Sequence, residues 1–166
     1  NVPNENKVFG LNIYQIDDLE EFFKKGTQNI YINTNNYELT KNIFTKAKKI
    51  GFKIVNVIHP SADIAISANL GECIFVGAQA IIGTNVTIGS FSKILNKASV
   101  AHDSIIGNNV QVSDGATIAG NVTVEDNVLI GINSGVINKC KISSNSTILS
   151  GKIVTKNVGN GTIYND

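Results

Sequence analysis

The sequence predicts a mainly β protein in which a parallel β-helix follows a small α/β unit. The first observation behind this prediction is a hexad period that runs through the last two thirds of the chain. Every sixth position is aliphatic, and the seventeen residues are Ile58, Ile64, Leu70, Val76, Ile82, Ile88, Ile94, Val100, Ile106, Val112, Ile118, Val124, Ile130, Val136, Ile142, Ile148 and Val154. Ile, Leu and Val supply only 47 of the 166 residues. The probability that all seventeen positions of one fixed six-residue frame are Ile, Leu or Val by chance is on the order of 10⁻⁹, so the repeat is real.

The second observation concerns the residues beside each aliphatic position. Glycine follows the aliphatic residue directly at Gly71, Gly77, Gly83, Gly89, Gly107 and Gly131. Small residues stand four positions after it at Ala62, Ala68, Ala80, Ser92, Ala98, Ser104, Ala116, Ser134 and Ser146. A small residue fits an inward-facing corner, and glycine permits either a positive φ or a close approach of two chains. Each hexad therefore predicts one short strand and one corner, and three hexads predict one complete coil that brings the chain back above itself.

The residues ahead of the repeat carry helix signals. We expect a first helix over residues 15–26 because Asp17 can cap it and Glu20 stands three residues later, as in a capping box. Gly26 is expected to end this helix. The apolar run at 29–33 then predicts a short strand.

A second helix is expected over residues 37–50. Leu39, Ile43 and Ala47 are spaced to lie on one face of it, and Gly51 suits the position just after its last turn.

A further strand is expected over residues 52–57, so strands and helices alternate in this part of the chain. That alternation is typical of a small parallel α/β unit. The expected organisation is an α/β unit over 1–57, a β-helix over 58–158 and a C-terminal tail over 159–166.

Composition excludes several classes of protein. The net charge is +1, no basic stripe is present and all fourteen cationic residues are lysines, so no nucleic acid polymer is expected as a partner. No apolar run approaches the length of a membrane span. Cys73 and Cys140 form no disulfide framework, which favours the reducing cytoplasm. The sequence contains no Met, so we expect the reading frame to begin upstream of Asn1.

Three segments carry a resemblance to a known family. They are KKIGFKIVNVIHPSA at 48–62, VAHDSIIGNNV at 100–110 and AGNVTVEDNVLIGINSGV at 119–136. Together with the hexads they resemble the left-handed β-helix nucleotide-sugar N-acetyltransferases, the group that includes the UDP-4-amino-sugar acetyltransferases of the bacillosamine pathway. The resemblance implies a left-handed coil and a partial Rossmann-like unit that binds the nucleotide sugar. The glycine-rich turn with which the family begins has no counterpart here.

His102 is the candidate general base. The sequence contains only two histidines, and the other, His59, lies in the linker before the repeat and is expected to be structural. A neutral imidazole at pH 7 can remove the proton that an attacking amine loses. Asp103 follows directly and can accept a hydrogen bond from one ring nitrogen. His102 also matches the position of the base in the resembling family.

The coil of three hexads places Gly120 one coil above His102. Adjacent coils are about 4.8 Å apart, so Gly120 lies beside the histidine without a side chain in the way. Its backbone N–H could bind the thioester oxygen as that oxygen becomes an oxyanion. A corner glycine that needs a positive φ is the competing explanation for this residue.

The resemblance also implies a cofactor and a substrate site. Acetyl-CoA, the co-substrate, would lie in a groove between two subunits of a homotrimer, near Gln111, Ile132 and Ser150. Asn35 and Asn96 are the candidates for contacts with the nucleotide-linked amino sugar. The resemblance implies no metal.

The leading interpretation is acetyl transfer from acetyl-CoA to the amine of a nucleotide-linked amino sugar, for bacterial glycan biosynthesis. A sugar O-acetyltransferase of the sialic-acid type stays open because His102 and Asp103 would serve a hydroxyl equally well. Other acceptors such as serine and a non-catalytic trimeric β-helix scaffold also stay open. A metal-dependent carbonic anhydrase on the same repeat is disfavoured, since such a site needs three histidine ligands and the sequence has two histidines.

Overall fold

The structure is a computed structural model, and it describes residues 7–8, 11–12, 14–34 and 36–165. The chain divides into two compact units, residues 1–54 and 55–166. The first unit begins with an antiparallel pair of two-residue strands, β1 (Lys7–Val8) and β2 (Leu11–Asn12). Two helices and a parallel strand pair follow.

The first predicted helix is two consecutive elements. A 3₁₀ turn (Ile16–Asp18) leads into the short helix α1 (Leu19–Lys24). Gly26 follows with φ +100°, a value that glycine adopts without steric cost. The prediction that Gly26 ends the helix is therefore correct, and the backbone N–H of Gly26 donates to the carbonyl oxygen of Phe23 at 3.0 Å.

The predicted cap at Asp17 is wrong. The backbone N–H of Gln15 donates to Oδ2 of Asp18 at 2.9 Å, so the capping carboxylate stands one residue later than expected. Asp17 instead accepts a bond from Nζ of Lys46 at 2.7 Å. This long-range ion pair, which local sequence patterns do not reveal, also lowers the pKa of Asp17.

Helix α2 (Tyr37–Ile50) has the predicted bounds. Oδ1 of Asn36 accepts from the backbone N–H of Leu39 at 3.0 Å and caps the first turn. Ala47 is fully buried as the expected apolar face requires, but Leu39 is 42% exposed. The apolar face is thus covered only near its C-terminal end.

The parallel strands β3 (Asn29–Ile30) and β4 (Lys53–Ile54) are shorter than predicted. The backbone N–H of Phe52 still donates to the last turn of α2, so the strand ladder begins only after it. Gly51 has φ +111°, and a Cβ there would lie 2.9 Å from the ring of Phe23, so both backbone and space require glycine.

The second unit is a parallel β-helix with three faces, and every strand has two residues. The first face contains β5 (Val57–Ile58), β8 (Phe75–Val76), β11 (Lys93–Ile94), β14 (Gln111–Val112), β17 (Leu129–Ile130), β20 (Thr147–Ile148) and β22 (Ile163–Tyr164). The second face contains β6 (Asp63–Ile64), β9 (Ile81–Ile82), β12 (Ser99–Val100), β15 (Thr117–Ile118), β18 (Gly135–Val136) and β21 (Ile153–Val154). The third face contains β7 (Asn69–Leu70), β10 (Thr87–Ile88), β13 (Ile105–Ile106), β16 (Thr123–Val124) and β19 (Lys141–Ile142).

The predicted fold class is confirmed. Consecutive coils pair in register at a step of three hexads, as Ser99 does with Thr117. The second residue of each central strand points inward, and nine of these isoleucines and valines lose all solvent exposure: Val76, Ile94, Val100, Val112, Ile118, Ile130, Ile142, Ile148 and Val154. The hexad is therefore the repeat of the hydrophobic core.

The corners are named by the faces that they join. The first corner joins the first face to the second, the second corner joins the second face to the third, and the third corner returns to the first face. Positive φ falls on the third residue after the aliphatic, and the non-glycine cases are Cys73, Gln79, Asn85, Phe91, Lys97, Asp103, Asn109, Asn121, Asn127, Asn133, Lys139 and Asn145. Their φ values of +52° to +65° define the left-handed corner conformation.

The glycines that follow the aliphatic residues serve close approach rather than positive φ. None of the six has a φ in the left-handed region. A Cβ on Gly89 would lie 2.5 Å from the backbone of Gly107, and one on Gly77 would lie 2.7 Å from the backbone of Asn96. Of the two roles open to these glycines, close contact between neighbouring coils is the one observed.

The last coil is shorter than the others. Thr147 pairs with Ile163 and Ile142 with Val158, and both steps fall short of three full hexads. Val158 and Tyr164 are nevertheless buried, so they extend the core beyond the last regular hexad. Within the described part of the chain, no helix has the length and apolar character that crossing a membrane requires.

Candidate active site

The candidate site lies at the second corner, where His102, Asp103 and Gly120 meet. Strand β12 leads into this corner, and two backbone bonds fix it to the adjacent coils. The N–H of Asp103 donates to the carbonyl oxygen of Thr84 in the coil below at 2.9 Å. The N–H of Asn121 in the coil above donates to the carbonyl oxygen of His102 at 3.0 Å.

The buried side chain of Ser104 supports the same corner from inside. Its hydroxyl donates to the carbonyl oxygen of Ala119 at 2.9 Å and accepts from the N–H of Val122 at 3.1 Å. Both partners belong to the coil that carries Gly120. A small hydroxyl side chain at this inward position therefore holds the two coils of the site in fixed register.

His102 and Asp103 form a hydrogen-bonded pair on the protein surface. Nδ1 of His102 lies 2.8 Å from Oδ2 of Asp103, and the two side chains are 58% and 46% exposed. When Nδ1 carries the proton and donates it to the carboxylate, Nε2 is left as the unprotonated nitrogen. The ring is then oriented with its basic nitrogen away from Asp103.

Asp103 is held in its ionised form. The hydrogen bond with His102 is the largest cause of a lowered Asp103 pKa, and a bond from Nδ2 of Asn85 at 3.1 Å is the next. Two donors stabilise the carboxylate, one on each oxygen. Asp103 thus presents a negative charge to the imidazole at neutral pH.

Gly120 lies directly against the imidazole of His102, as the coil of three hexads predicts. A Cβ on Gly120 would lie 2.6 Å from Nε2, 2.7 Å from Cε1 and 3.1 Å from Cδ2 of that ring. Gly120 does not have a left-handed φ, so a corner conformation is not the reason for glycine here. The reason is the space that the His102 ring occupies.

Gly120 is buried against the His102 ring, and its backbone N–H makes no hydrogen bond to a described residue. Several equivalent N–H groups at the other two corners donate to a side chain one coil further on, as Ala78 does to Oδ1 of Asn96 and Ser90 to Oδ1 of Asn108, both at 2.9 Å. Among the described residues, the N–H of Gly120 has no such acceptor. An unpaired N–H beside a basic nitrogen is the arrangement that an oxyanion site requires.

The residues expected to contact acetyl-CoA lie elsewhere on the same chain. Gln111 is on the first face, where Nε2 donates to the hydroxyl of Ser113 at 3.3 Å. Ile132 and Ser150 are together at the first corner, because the N–H of Ile132 donates to Oγ of Ser150 at 3.2 Å. Ile132 is half exposed, so its side chain offers an apolar surface.

The two asparagines expected at the sugar site have different outcomes. Asn96 is exposed at the first corner, where it accepts from the N–H of Ala78 and donates to Oδ1 of Asp114 at 2.9 Å. It therefore links three coils, as corner asparagines do. Asn35 lies outside the described residues.

The sequence-predicted residues thus fall on two different edges of one chain. The structure brings His102, Asp103 and Gly120 together at the second corner and brings Ile132 and Ser150 together at the first. The second face separates these two corners.

Sequence analysis missed Asn85, which bonds to Asp103 from the coil below. The signal that could have found it was present, since the same three-hexad step that leads from His102 to Gly120 leads back from Asp103 to Asn85. His59 accepts from the N–H of Ser61 through Nδ1 at 3.1 Å, a local linker contact.

A separate cavity of about 540 Å³ lies in the first unit and contains none of these residues. Its lining residues are Glu20, Phe23, Lys24, Asn42, Thr45, Lys46, Lys49 and Ile50. Within the described ranges, no three His, Cys, Asp or Glu side chains are grouped closely enough to hold a metal ion.

Comparison with solved structures places the chain beside sugar N-acetyltransferases. PerB from Caulobacter crescentus, solved in complex with CoA and GDP-perosamine, is 26% identical, with a TM-score of 0.85 over 93% of this chain and 75% of that one. A histidine-to-alanine mutant of GDP-perosamine N-acetyltransferase from Caulobacter crescentus, with the same two ligands, is 24% identical, with a TM-score of 0.87 over 96% and 77%.

The acetyltransferase domain of PglB from Neisseria gonorrhoeae, in complex with acetyl coenzyme A, is 22% identical, with a TM-score of 0.87 over 98% of this chain and 80% of that one. No family model and no curated protein sequence matches the chain. The resemblance noted from the three sequence segments is confirmed at the level of structure, since a GDP-perosamine N-acetyltransferase and an acetyltransferase domain share the fold of this chain.

Proposed function

We propose that this protein transfers the acetyl group of acetyl-CoA to the amine of a nucleotide-linked amino sugar. One observation carries the proposal: the Nε2 edge of the His102 ring lies against Gly120, while Nδ1 bonds to Asp103. The similarity to PerB, whose structure holds CoA and GDP-perosamine, supports this reaction class and this substrate class.

The reaction follows from the positions of three groups. The neutral amine attacks the thioester carbonyl carbon, so a C–N bond forms while the carbonyl oxygen becomes an oxyanion. Nε2 of His102 accepts the proton that the amine loses, and the charge of Asp103 stabilises the imidazolium that results. The N–H of Gly120 donates to the oxyanion. The C–S bond then breaks, and the imidazolium returns its proton to the departing sulfur of CoA.

The same geometry explains why the site is exposed in a single chain. We propose a homotrimer in which the second corner of one copy faces the first corner of the next. Acetyl-CoA then lies between them, with Gly120 and His102 on one side and Ile132 and Ser150 on the other. Flat faces with exposed aliphatic residues support the proposal, since Ile81 and Ile153 on the second face are 51% and 53% exposed.

The nucleotide part of the substrate is assigned to the N-terminal unit. The division into residues 1–57, 58–158 and 159–166, with the first binding the nucleotide sugar, stays a proposal, as do the contacts of Asn35 and Asn96. A reducing compartment such as the cytoplasm is also proposed, because neither Cys73 nor Cys140 forms a disulfide.

The test is release of the CoA thiol with UDP-, GDP- and dTDP-linked amino sugars as acceptors. Each amino sugar is paired with the matching sugar that has a hydroxyl in place of the amine. Turnover with an amino sugar and none with its hydroxyl partner supports N-acetyl transfer. Turnover with the hydroxyl sugar alone identifies an O-acetyltransferase. No thiol release with any acceptor favours a scaffold over an enzyme.

A further inference from the structure

We propose that Asn85 is a positioning residue, which holds the Asp103 carboxylate so that its other oxygen orients the imidazole of His102. The proposal rests on the proposed function for its catalytic meaning and on the second corner for its geometry. Nδ2 of Asn85 donates to Oδ1 of Asp103 at 3.1 Å, while Oδ2 of Asp103 is 2.8 Å from Nδ1 of His102. The three side chains form one chain of hydrogen bonds that ends at Nε2.

The third corner has asparagines at the equivalent positions of successive coils, and no histidine lies beside them. There, Nδ2 of Asn109 donates to Oδ1 of Asn127 at 2.9 Å, Asn127 donates likewise to Asn145 at 3.3 Å, and Asn145 to Asn160 at 3.1 Å. Asn127 and Asn145 each accept from the coil below and donate to the coil above. Such a ladder joins coils by neutral hydrogen bonds only.

The second corner departs from this ladder at Asp103. An aspartate can accept from Asn85 but has no hydrogen to donate to the coil above, so the ladder ends there. Its second oxygen is taken by His102 instead. Asparagine-to-aspartate bonds one coil apart also join Asn96 to Asp114 and Asn108 to Asp126, where no imidazole is present. What sets Asp103 apart is that its second oxygen is bonded to His102, so the bond from Asn85 acts on a carboxylate that orients an imidazole.

The backbone does not demand asparagine at position 85. Asn85 has φ +57°, but Gln79 and Lys97 have φ +58° and +59° at equivalent positions of another corner. Several residue types thus tolerate the left-handed corner. What distinguishes Asn85 is the side-chain amide hydrogen that reaches Asp103. The backbone of Asn85 is held separately, because its N–H donates to Oγ of Ser67 in the coil below at 3.0 Å.

Orientation is needed because both side chains of the catalytic pair are exposed. An unrestrained carboxylate on the surface can turn away from Nδ1, and the imidazole would then lose the acceptor that fixes its tautomer. With Oδ1 occupied by Asn85, only Oδ2 is directed at Nδ1. The proton is thereby kept on Nδ1, and Nε2 stays free to act as the base beside Gly120.

The test compares Asn85→Gly with the matched control Asn109→Gly. Glycine keeps the left-handed φ in both variants and removes one ladder amide from each. We expect Asn85→Gly to lower kcat about two- to tenfold, the range of one ordinary hydrogen bond, with the KM for acetyl-CoA unchanged. We expect Asn109→Gly to retain the parent kcat. The third variant, Asn85→Asp, places a second carboxylate against Asp103, and we expect its kcat to fall further than that of Asn85→Gly.

A second measurement reads the positioning without turnover. ¹⁵N NMR of the ring nitrogens, with His59 as the internal reference, should show the Nδ1–H tautomer of His102 in the parent and a mixture of tautomers in Asn85→Gly. An unchanged tautomer and an unchanged kcat in Asn85→Gly would overturn the proposal, as would equal losses in the Asn109→Gly control. The spectrum is recorded on the free protein, so it tests the role of Asn85 even if the parent transfers no acetyl group. An inactive parent would contradict the proposed function and not the positioning role of Asn85.

Discussion

Gly120→Ala should abolish most of the activity while leaving the fold intact. The added Cβ would lie 2.6 Å from Nε2 of His102, against the 3.4 Å or more of an ordinary contact. The ring must therefore move by about 1 Å, and a displacement of that size at a reacting centre costs about 10²-fold in rate. The backbone of Gly120 is not left-handed, so alanine introduces no φ strain.

The cost in stability should be small because the neighbour that must move is an exposed side chain. His102 can swing toward solvent, and the buried hexads are not disturbed. Gly135→Ala is the control for crowding, since its Cβ would lie 2.8 Å from Cδ1 of the exposed Ile153, which does not contact His102. Because Ile153 belongs to a face proposed to join subunits, the comparison uses Gly135→Ala protein that sediments as the parent does. In each variant the added Cβ crowds one exposed side chain and no backbone atom.

The assay measures kcat by thiol release and Tm by thermal melting for both variants. We expect parent-like Tm values in both and a loss of about 10²-fold in kcat for Gly120→Ala alone. A folded Gly120→Ala protein as active as the parent would show that the acetyl group does not react beside this ring. Equal losses in Gly135→Ala would show that crowding anywhere on the β-helix has the same effect.

Three further predictions concern the same site. His102→Ala should lower kcat about 10²–10⁴-fold, the usual contribution of a general base, with acetyl-CoA affinity retained in calorimetry and near-normal kcat in His59→Ala. The difference in Tm between the parent and Asp103→Asn should be present above pH 3.8, the ordinary pKa of aspartate. It should vanish as the pH falls through the lowered pKa of Asp103 in the folded protein, because the carboxylate is then protonated. A difference in Tm that persists at pH 2 would refute this. A mixture of inactive His102→Ala and Ile132→Asp chains, unfolded and reassembled together, should regain activity if two subunits share each site, whereas no recovery from correctly sized trimers would contradict a shared site.

The parts of the site that sequence predicted are those fixed by the repeat. Once three hexads are known to complete a coil, the pairing of His102 with Gly120 follows without any knowledge of side-chain conformations. The proximity of Asp103 to His102 follows from adjacency in the corner. The burial of the hexad aliphatics follows from the same period, because each is the inward residue of a two-residue strand.

The parts that sequence did not predict depend on contacts outside the repeat. Asp17 is of a residue type that often caps helices, but its carboxylate accepts a hydrogen bond from Lys46, 29 residues away. Leu39 has the spacing of a buried face, yet burial depends on what covers that face. The bond from Asn85 to Asp103 needs a side-chain rotamer as well as a register, so the repeat alone gives the proximity and not the contact.

The coil-by-coil construction limits how far the site extends along the β-helix axis. Asn85, His102 and Gly120 occupy three consecutive coils, and each coil contacts only its immediate neighbours. Duplication or loss of a whole coil beyond Asn121 would change the length of the protein and leave these three in place. Insertion of a coil between Asn85 and His102 would separate the amide from its carboxylate by another strand spacing. The evolvable unit of this fold is thus the coil: three adjacent coils carry the hydrogen-bonded corner, and the proposed acetyl-CoA groove adds the two coils that carry Ile132 and Ser150.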